Sequence, residues 1–188
     1  EDCSAKLQSE DYSTRNLLRK MKVSLVCTTD DPVDSLEYHQ QLKNEDFEIA
    51  ILPAFRADKA MQPEDSTLFN QYIQKLEVAA DETISSYGDF LFALKKRHDF
   101  FALQGCNVSD HGLEEIYAED FTLKEIDAIF NKVRAGKSLD KEEILKFKSA
   151  VLLQLAEWDW EKGWIQQFHL GALRNNNSRL LEILGPDT

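Results

Sequence analysis

The sequence predicts an α/β fold in which parallel strands are joined by right-handed helical crossovers. Three observations lead there. Short apolar runs alternate with longer segments of helical spacing, in the order helix, strand, helix, strand, helices, strand, helices, strand. All four strand-like runs stop at small, polar or charged residues, and in a parallel sheet such ends share one face, where sites form. The helical segments also carry their own start signals, most clearly Thr122 with Glu125 three residues on.

Taken in order, residues 4–20 show helical spacing. Ser13 is a candidate N-cap for a helix carrying Leu17, Leu18 and Met21 on one face. Lys20 and Lys22 suit the end of that helix, where the carbonyl dipoles favour cations. Val23–Thr29 is rich in β-branched residues and reads as a buried strand. Pro32 forbids continuation of a ladder, and Asp34 is placed to cap a helix over Ser35–Leu42. Phe47–Leu52 is the second strand and runs into Pro53, Ala54, Phe55 and Arg56. Ser66 is a candidate cap for a helix over Thr67–Ala80, and Ser85–Lys96 reads as another. Asp99–Gln104 is assigned to the third strand, leading into residues 105–112. Residues 113–161 are helical again, with residues 136–140 separating two helices. The second, Lys141 to about Glu161, carries Ile144, Phe147, Val151, Leu155 and Trp158 along a face. The fourth strand is Trp164–Phe168 with His169 at its carboxyl end. Gly171, Arg174 and the run Asn175–Asn177 follow. Third and fourth strands lie further apart than one crossover helix requires, so a helical insertion is expected over about 113–161.

Composition bounds the function. The 188 residues suffice for one domain with a substantial core, and 43% hydrophobic with 30% charged residues is ordinary for a soluble protein. A net charge of −12 argues against nucleic acid as a partner, since a phosphate backbone needs a basic face. No apolar run approaches the roughly 18 residues of a membrane span, and no signal-peptide pattern appears. Three cysteines, Cys3, Cys27 and Cys106, lack metal-type spacing. Cys27 and Cys106 fall at strand ends and are expected to be buried thiols, which fits a reducing cytoplasm. The chain opens at Glu1 without methionine and closes on the turn-like residues Gly185–Thr188, so a piece of a longer polypeptide is expected.

The strand ends supply the candidate site. Arg56 follows the second strand and could pair bidentately with a carboxylate. Asp110 and His111 follow the third, and His169 ends the fourth with Arg174 close behind. Two arginines, a carboxylate and a histidine suit an acidic sugar: the arginines hold its carboxylate and polarise an oxygen, while Asp110 and His169 move protons. Plainer assignments stand beside this one. A single arginine after a strand is commonly solvated, Asp30 and Asp31 suit a helix cap, and His111 could cap a helix. His169 could be a satisfied core histidine, and the asparagine run a simple turn. His39 and His98 are expected at the surface.

Four strings together resemble one family: residues 27–32 with Asp34, residues 53–56, residues 105–112, and Phe168–Asn177 (FHLGALRNNN). In this order they are similar to uronate (glucuronate) isomerase of the amidohydrolase superfamily, and the resemblance covers nearly the whole chain. It implies part of a (β/α)8 barrel, about four consecutive parallel strands with helical additions. It also implies aldose–ketose isomerisation, an intramolecular redox reaction, of D-glucuronate to D-fructuronate and D-galacturonate to D-tagaturonate through an enediol. Carried over by motif, Asp110 and His169 are catalytic, and Arg56 and Arg174 bind substrate. The family's His-x-His pair of the first strand and its Asp and Arg of the last have no counterpart here. A divalent metal, zinc on the resemblance, is therefore expected with the full-length protein and not with this piece, which alone is expected to be inactive. An isolated half barrel exposes two sheet edges. It is expected to fold only with the rest of the barrel or as a homo-oligomer.

Two other classes compete. A noncatalytic assembly module would use residues 113–161, with Trp158, Trp160 and Trp164 as an interaction surface, although packing of those rings onto the barrel is the plainer reading. A hydrolase of the same superfamily is weaker, because the motifs suit a sugar acid.

Overall fold

A computed structural model describes residues 2–171 and 175–185. Its elements are α1 (Asp2–Leu7), α2 (Thr14–Lys20), β1 (Leu25–Cys27), α3 (Glu37–Asn44), β2 (Ala50–Leu52), α4 (Ser66–Ala80), α5 (Tyr87–Leu103), β3 (Val108–Leu113), α6 (Leu123–Arg134), α7 (Lys141–Lys162), β4 (Ile165–Leu170) and α8 (Ser178–Leu184). The strands form two parallel ladders. In one, Leu25 pairs with Ala50 and Cys27 with Leu52; in the other, Val108 pairs with Ile165 through to Leu113 with Leu170.

Phe55 joins the two ladders. Its N–H donates to the Val108 carbonyl at 3.1 Å, its carbonyl accepts from Asp110 N–H at 3.0 Å, and Asp30 pairs with it on the other flank. The four strands therefore stand side by side in chain order, all parallel, as the alternating sequence predicts. Because side chains alternate along a strand, register sorts them. Phe55, Ser109, His111, Gln166 and Phe168 share one face, and Arg56, Asp110, Gly112, Gln167 and His169 the other.

The helices cover the first face. Phe55 meets His98 and Phe101 of α5 edge-on, both at 5.1 Å. Beyond it, Phe69 (α4), Phe90 (α5), Phe130 (α6) and Phe147 (α7) pack with ring centroids 5.6 to 6.5 Å apart. A polar tie crosses the same layer. Asp159 of α7 accepts from Ser109 Oγ at 2.5 Å and Gln166 Nε2 at 3.2 Å, and its Oδ1 lies 3.0 Å from His98 Nε2. The His98 ring also lies over Trp164, centroid to centroid 4.1 Å. Burial holds the His98 imidazole below its usual pKa, with Asp159 pulling the other way. The helix starts obey cap chemistry: Ser86, Thr122 and Asp140 each make a capping box, with Asp89, Glu125 and Glu143.

Several expectations need correction. Asp99–Gln104 is not a strand but the end of α5, and the third strand is Val108–Leu113. The apolar run fits either period, yet Phe90, Leu94, His98 and Phe101 are buried at helical spacing, and no breaker intervenes before Gly105 at φ +95°. Asp110 and His111 thus lie within β3, and His169 within β4. His98 is fully buried rather than on the surface, and His39 is mostly covered, its Nε2 2.8 Å from Thr28 Oγ1. Cys27 is exposed, since β1 is an edge strand; Cys106 is buried as expected. Asp34 caps no helix but accepts from Asp31 N–H, and α3 opens from Leu36 in the left-handed region. The cap of α4 is Asp65, one residue ahead of Ser66. Ser13 precedes α2 without a side-chain cap bond, and Met21 is exposed. Of the tryptophans, Trp158 is buried and Trp164 packs against the core, while Trp160 is 82% exposed. The rings therefore form no common surface.

Candidate active site at the strand ends

The inner face of the sheet carries a chain of charged contacts across β2, β3 and β4. His169 Nδ1 stands 2.6 Å from Asp110 Oδ1. The same carboxylate faces Arg56 Nη1 at 3.6 Å and Thr29 Oγ1 at 3.4 Å, both through Oδ2. On its other side, Arg56 donates from Nε to Asp58 Oδ2 at 2.8 Å. Asp58 also accepts from Gly112 N–H, at 3.2 and 3.1 Å to its two oxygens.

Local sequence explains each placement. Arg56 follows the pairing residue Phe55 and so projects to the opposite face. Asp58 opens a 3-10 turn over Asp58–Met61, which brings its carboxylate back toward β3. Asp110 sits two residues before Gly112 on the same face of β3, and His169 lies opposite Gly112 on β4. Gly112 leaves space for these groups: a Cβ there would stand 2.6 Å from Arg56 Nη2 and 3.1 Å from Asp58 Oδ2, so the ends of those side chains would have to shift.

Exposure divides the roles. The Asp110 side chain is 9% exposed, whereas that of His169 is 50% exposed, with Nε2 3.2 Å from the Gln167 amide. The 2.6 Å approach is an ion-pair contact and not a hydrogen bond, since Asp110 Oδ1 has no hydrogen-bond partner among the described residues. Burial pushes the Asp58 carboxyl up, but His111, Arg56 and the Gly112 amide outweigh it, and it lies below the ordinary aspartate value. His111, fully buried, has its Nδ1 3.6 Å from Asp58 Oδ1, beyond hydrogen-bond length, and neither ring nitrogen makes a hydrogen bond among the described residues. Beside this group opens a cavity of about 380 Å³ lined by Asp58, Glu64, Gly112, Glu114, Tyr117 and Lys148. The buried Lys148 ammonium pairs with Glu64 and lies 4.9 Å from the Tyr117 ring centre.

Of the residues expected from sequence, Arg56, Asp110 and His169 come together. Arg174 lies outside the described residues. His111 is buried beside them, its ring centre 6.3 Å from that of Phe168 and its Nδ1 3.6 Å from Asp58 Oδ1. Asp58 and Gly112 were missed as site residues, although both sit within or beside the quoted strings. Asp58 follows Arg56 by two, a spacing that permits a local pair, but nothing in the chain announces the Gly112 contact. Among the described residues no group of three His, Cys, Asp or Glu side chains could hold a metal ion, so these residues do not fit a metal centre.

A family model described as glucuronate isomerase matches residues 1–188. The chain is similar to the uronate isomerase of Bacteroides fragilis, 57% identical over 188 residues, which is all of this chain and 40% of that protein. It is also similar to the uronate isomerase of Cellvibrio japonicus, 48% identical over 189 residues, which is all of this chain and 40% of the relative. Among solved structures, the Thermotoga maritima uronate isomerase superposes with a TM-score of 0.85 at 36% identity, over 92% of this chain and 38% of that one. The Caulobacter crescentus glucuronate isomerase gives a TM-score of 0.85 at 24% identity, over 96% and 37%; at that identity the likeness is one of fold. The chain thus spans about 40% of the length of the curated relatives it matches.

Proposed function

The chain belongs to the glucuronate isomerase family, and on that premise we propose that it supplies four neighbouring strands of a (β/α)8 barrel that isomerises uronic acids. On this reading residues 1–188 are a central part of the barrel domain, with α6 and α7 as helical additions. The substrates are D-glucuronate and D-galacturonate, converted to D-fructuronate and D-tagaturonate. Kinship to the amidohydrolase superfamily, a role in carbohydrate breakdown and a cytoplasmic setting belong to the same reading. So do the absence of nucleic-acid and membrane partners, and self-association of the protein. No described helix is long and apolar enough to cross a membrane.

The observation that carries the proposal is the meeting of Arg56, Asp110 and His169 on one face of the sheet. Arg56 offers its guanidinium to the substrate carboxylate or hydroxyls. Aldose-to-ketose conversion takes a proton from C2 and returns one to C1 through an enediol, and charge develops on oxygen meanwhile. His169, accessible and backed by Asp110, is placed to handle protons at those atoms, and Arg56 to stabilise the oxygen charge. Arg174 is assigned a second substrate contact. A divalent metal, zinc by family resemblance, is assigned to residues outside this segment.

The test is an assay of a polypeptide carrying this segment at the full family length. Proton NMR of D-glucuronate and D-galacturonate should show the ketose products, and metal analysis of the same sample should find a divalent ion. The 188-residue chain alone should give neither. Turnover by the isolated chain, or none by the full-length protein, overturns the reading.

A further inference from the structure

We propose that Asp58 is a positioning residue of this site, holding the Arg56 guanidinium against the bare Cα of Gly112 so that its terminal nitrogens face Asp110 and the strand ends. The proposal rests on the reading of Arg56 as the ligand of the substrate carboxylate.

An arginine just past a strand has a long stem and many rotamers, and anchoring it to one geometry carries an entropic cost. Here one hydrogen bond restrains it, its acceptor is itself fixed from β3, and a glycine leaves it room. Asp58 accepts the Nε–H at 2.8 Å, from two residues along the chain. Both Asp58 oxygens are fixed in turn by the Gly112 amide of β3, at 3.2 and 3.1 Å. Gly112 leaves open the space that Nη2 fills, where a Cβ would come within 2.6 Å. The backbone of Gly112 is in an ordinary conformation, so its glycine answers to space and not to a left-handed turn. Asp58 engages only the Nε edge of the guanidinium. The other edge is formed by Nη1, 3.6 Å from Asp110 Oδ2, and Nη2, which fills the space beside Gly112. That is the edge a substrate carboxylate binds in a fork-to-fork pair. Asp58 touches no position the substrate is assigned, so its effect passes through Arg56.

The test uses three variants in the full-length protein and two kinds of competitor, an anionic hexonate and the matching neutral hexitol. Asp58→Asn keeps the shape and loses the charge. Its KM for the uronate and the inhibition constant of the hexonate should rise about tenfold or more, with kcat within about twofold and hexitol binding unchanged. Gly112→Ala should reproduce that split by displacing Nη2, and Asp58→Glu, which keeps the charge, should recover part of the lost affinity. A purely structural role would weaken both competitors alike or lower kcat with KM; either result, or no change at all, overturns the proposal. An independent arm needs no turnover. In the ¹⁵N-labelled full-length protein the Arg56 Nε–H should give a slowly exchanging signal that Asp58→Asn abolishes, and an identical signal in the variant also overturns the proposal. If the full-length wild type converts no uronate, the substrate reading falls, while the Nε–H signal still decides whether Asp58 holds Arg56.

Discussion

Strand β3 carries two polar networks, one on each face, built from the same kinds of residue. On the outer face, Ser109 meets Asp159, which also takes Gln166 and His98; Ser109, Asp159 and His98 are buried between sheet and helices, and Gln166 is partly covered. On the inner face, Asp110 meets His169, Arg56 and Thr29 through contacts of 2.6 to 3.6 Å, with the His169 side chain half exposed. A carboxylate and a histidine appear in both. What separates them is satisfaction and access. The outer carboxylate accepts short bonds from three elements and no substrate can reach it, so it fixes α5 and α7 on the sheet. The inner one is loosely held behind an accessible ring, which suits chemistry. Adjacent residues, Ser109 and Asp110, thus serve opposite purposes because a strand turns alternate side chains to opposite sides.

The contrast is open to breaking. The largest effect should come from the inner face: His169→Ala or Asp110→Asn in the full-length protein should cut isomerase turnover by about 10²- to 10⁴-fold, with thermal unfolding nearly unmoved. If either variant unfolds while retaining specific activity, the two faces have been assigned the wrong way round. Next, Asp159→Ala should destabilise the fold by about 3 kcal/mol, because it strands His98 and Ser109 in the interior; urea unfolding reads this. A stable but inactive Asp159→Ala protein would contradict the division. A smaller, pH-dependent effect belongs to His98. Its folded pKa lies below the 6.5 of the free side chain, so the neutral ring is the form the fold accepts. Stability is then fully present above about pH 6.5 and declines as pH falls below it, since the unfolded chain takes up a proton that the folded ring resists. His98→Gln should flatten that slope, and parallel curves for variant and wild type would remove His98 from the account. The smallest change is Thr29→Ala: a 3.4 Å contact to Asp110 should be worth about twofold in kcat/KM or less.

Much of this was legible in the sequence, and its failures have physical causes. Alternation gave parallel strands, and cap pairs such as Thr122 with Glu125 located helix starts within a residue. The strand ends named Arg56, Asp110 and His169. The third strand was misread because its true sequence, VSDHGL, spends its inward positions on Asp110 and Gly112 and its outward ones on Ser109 and His111. A strand that carries a site on one face and buried polar groups on the other keeps little apolar signal, whereas the end of α5, rich in phenylalanine, imitates one. His98 was placed at the surface because polar neighbours surround it in sequence; its partners Asp159 and Trp164 are more than sixty residues away. Asp58 escaped notice for the same reason, since its meaning depends on the Gly112 amide.

The joining of the two ladders through Phe55 has a mechanical consequence. The β1–β2 and β3–β4 pairs behave as two plates riveted by a single peptide, whose N–H and carbonyl grip Val108 and Asp110. Arg56 hangs from one plate and Asp110 with His169 from the other, so the candidate site residues straddle the rivet. A slight shear there would alter the spacing between guanidinium and carboxylate, while the aromatic packing behind Phe55 resists it. The spacing of the candidate site groups is then set by a phenylalanine buried on the opposite, helix-covered face, which makes Phe55 the calibration point of the sheet.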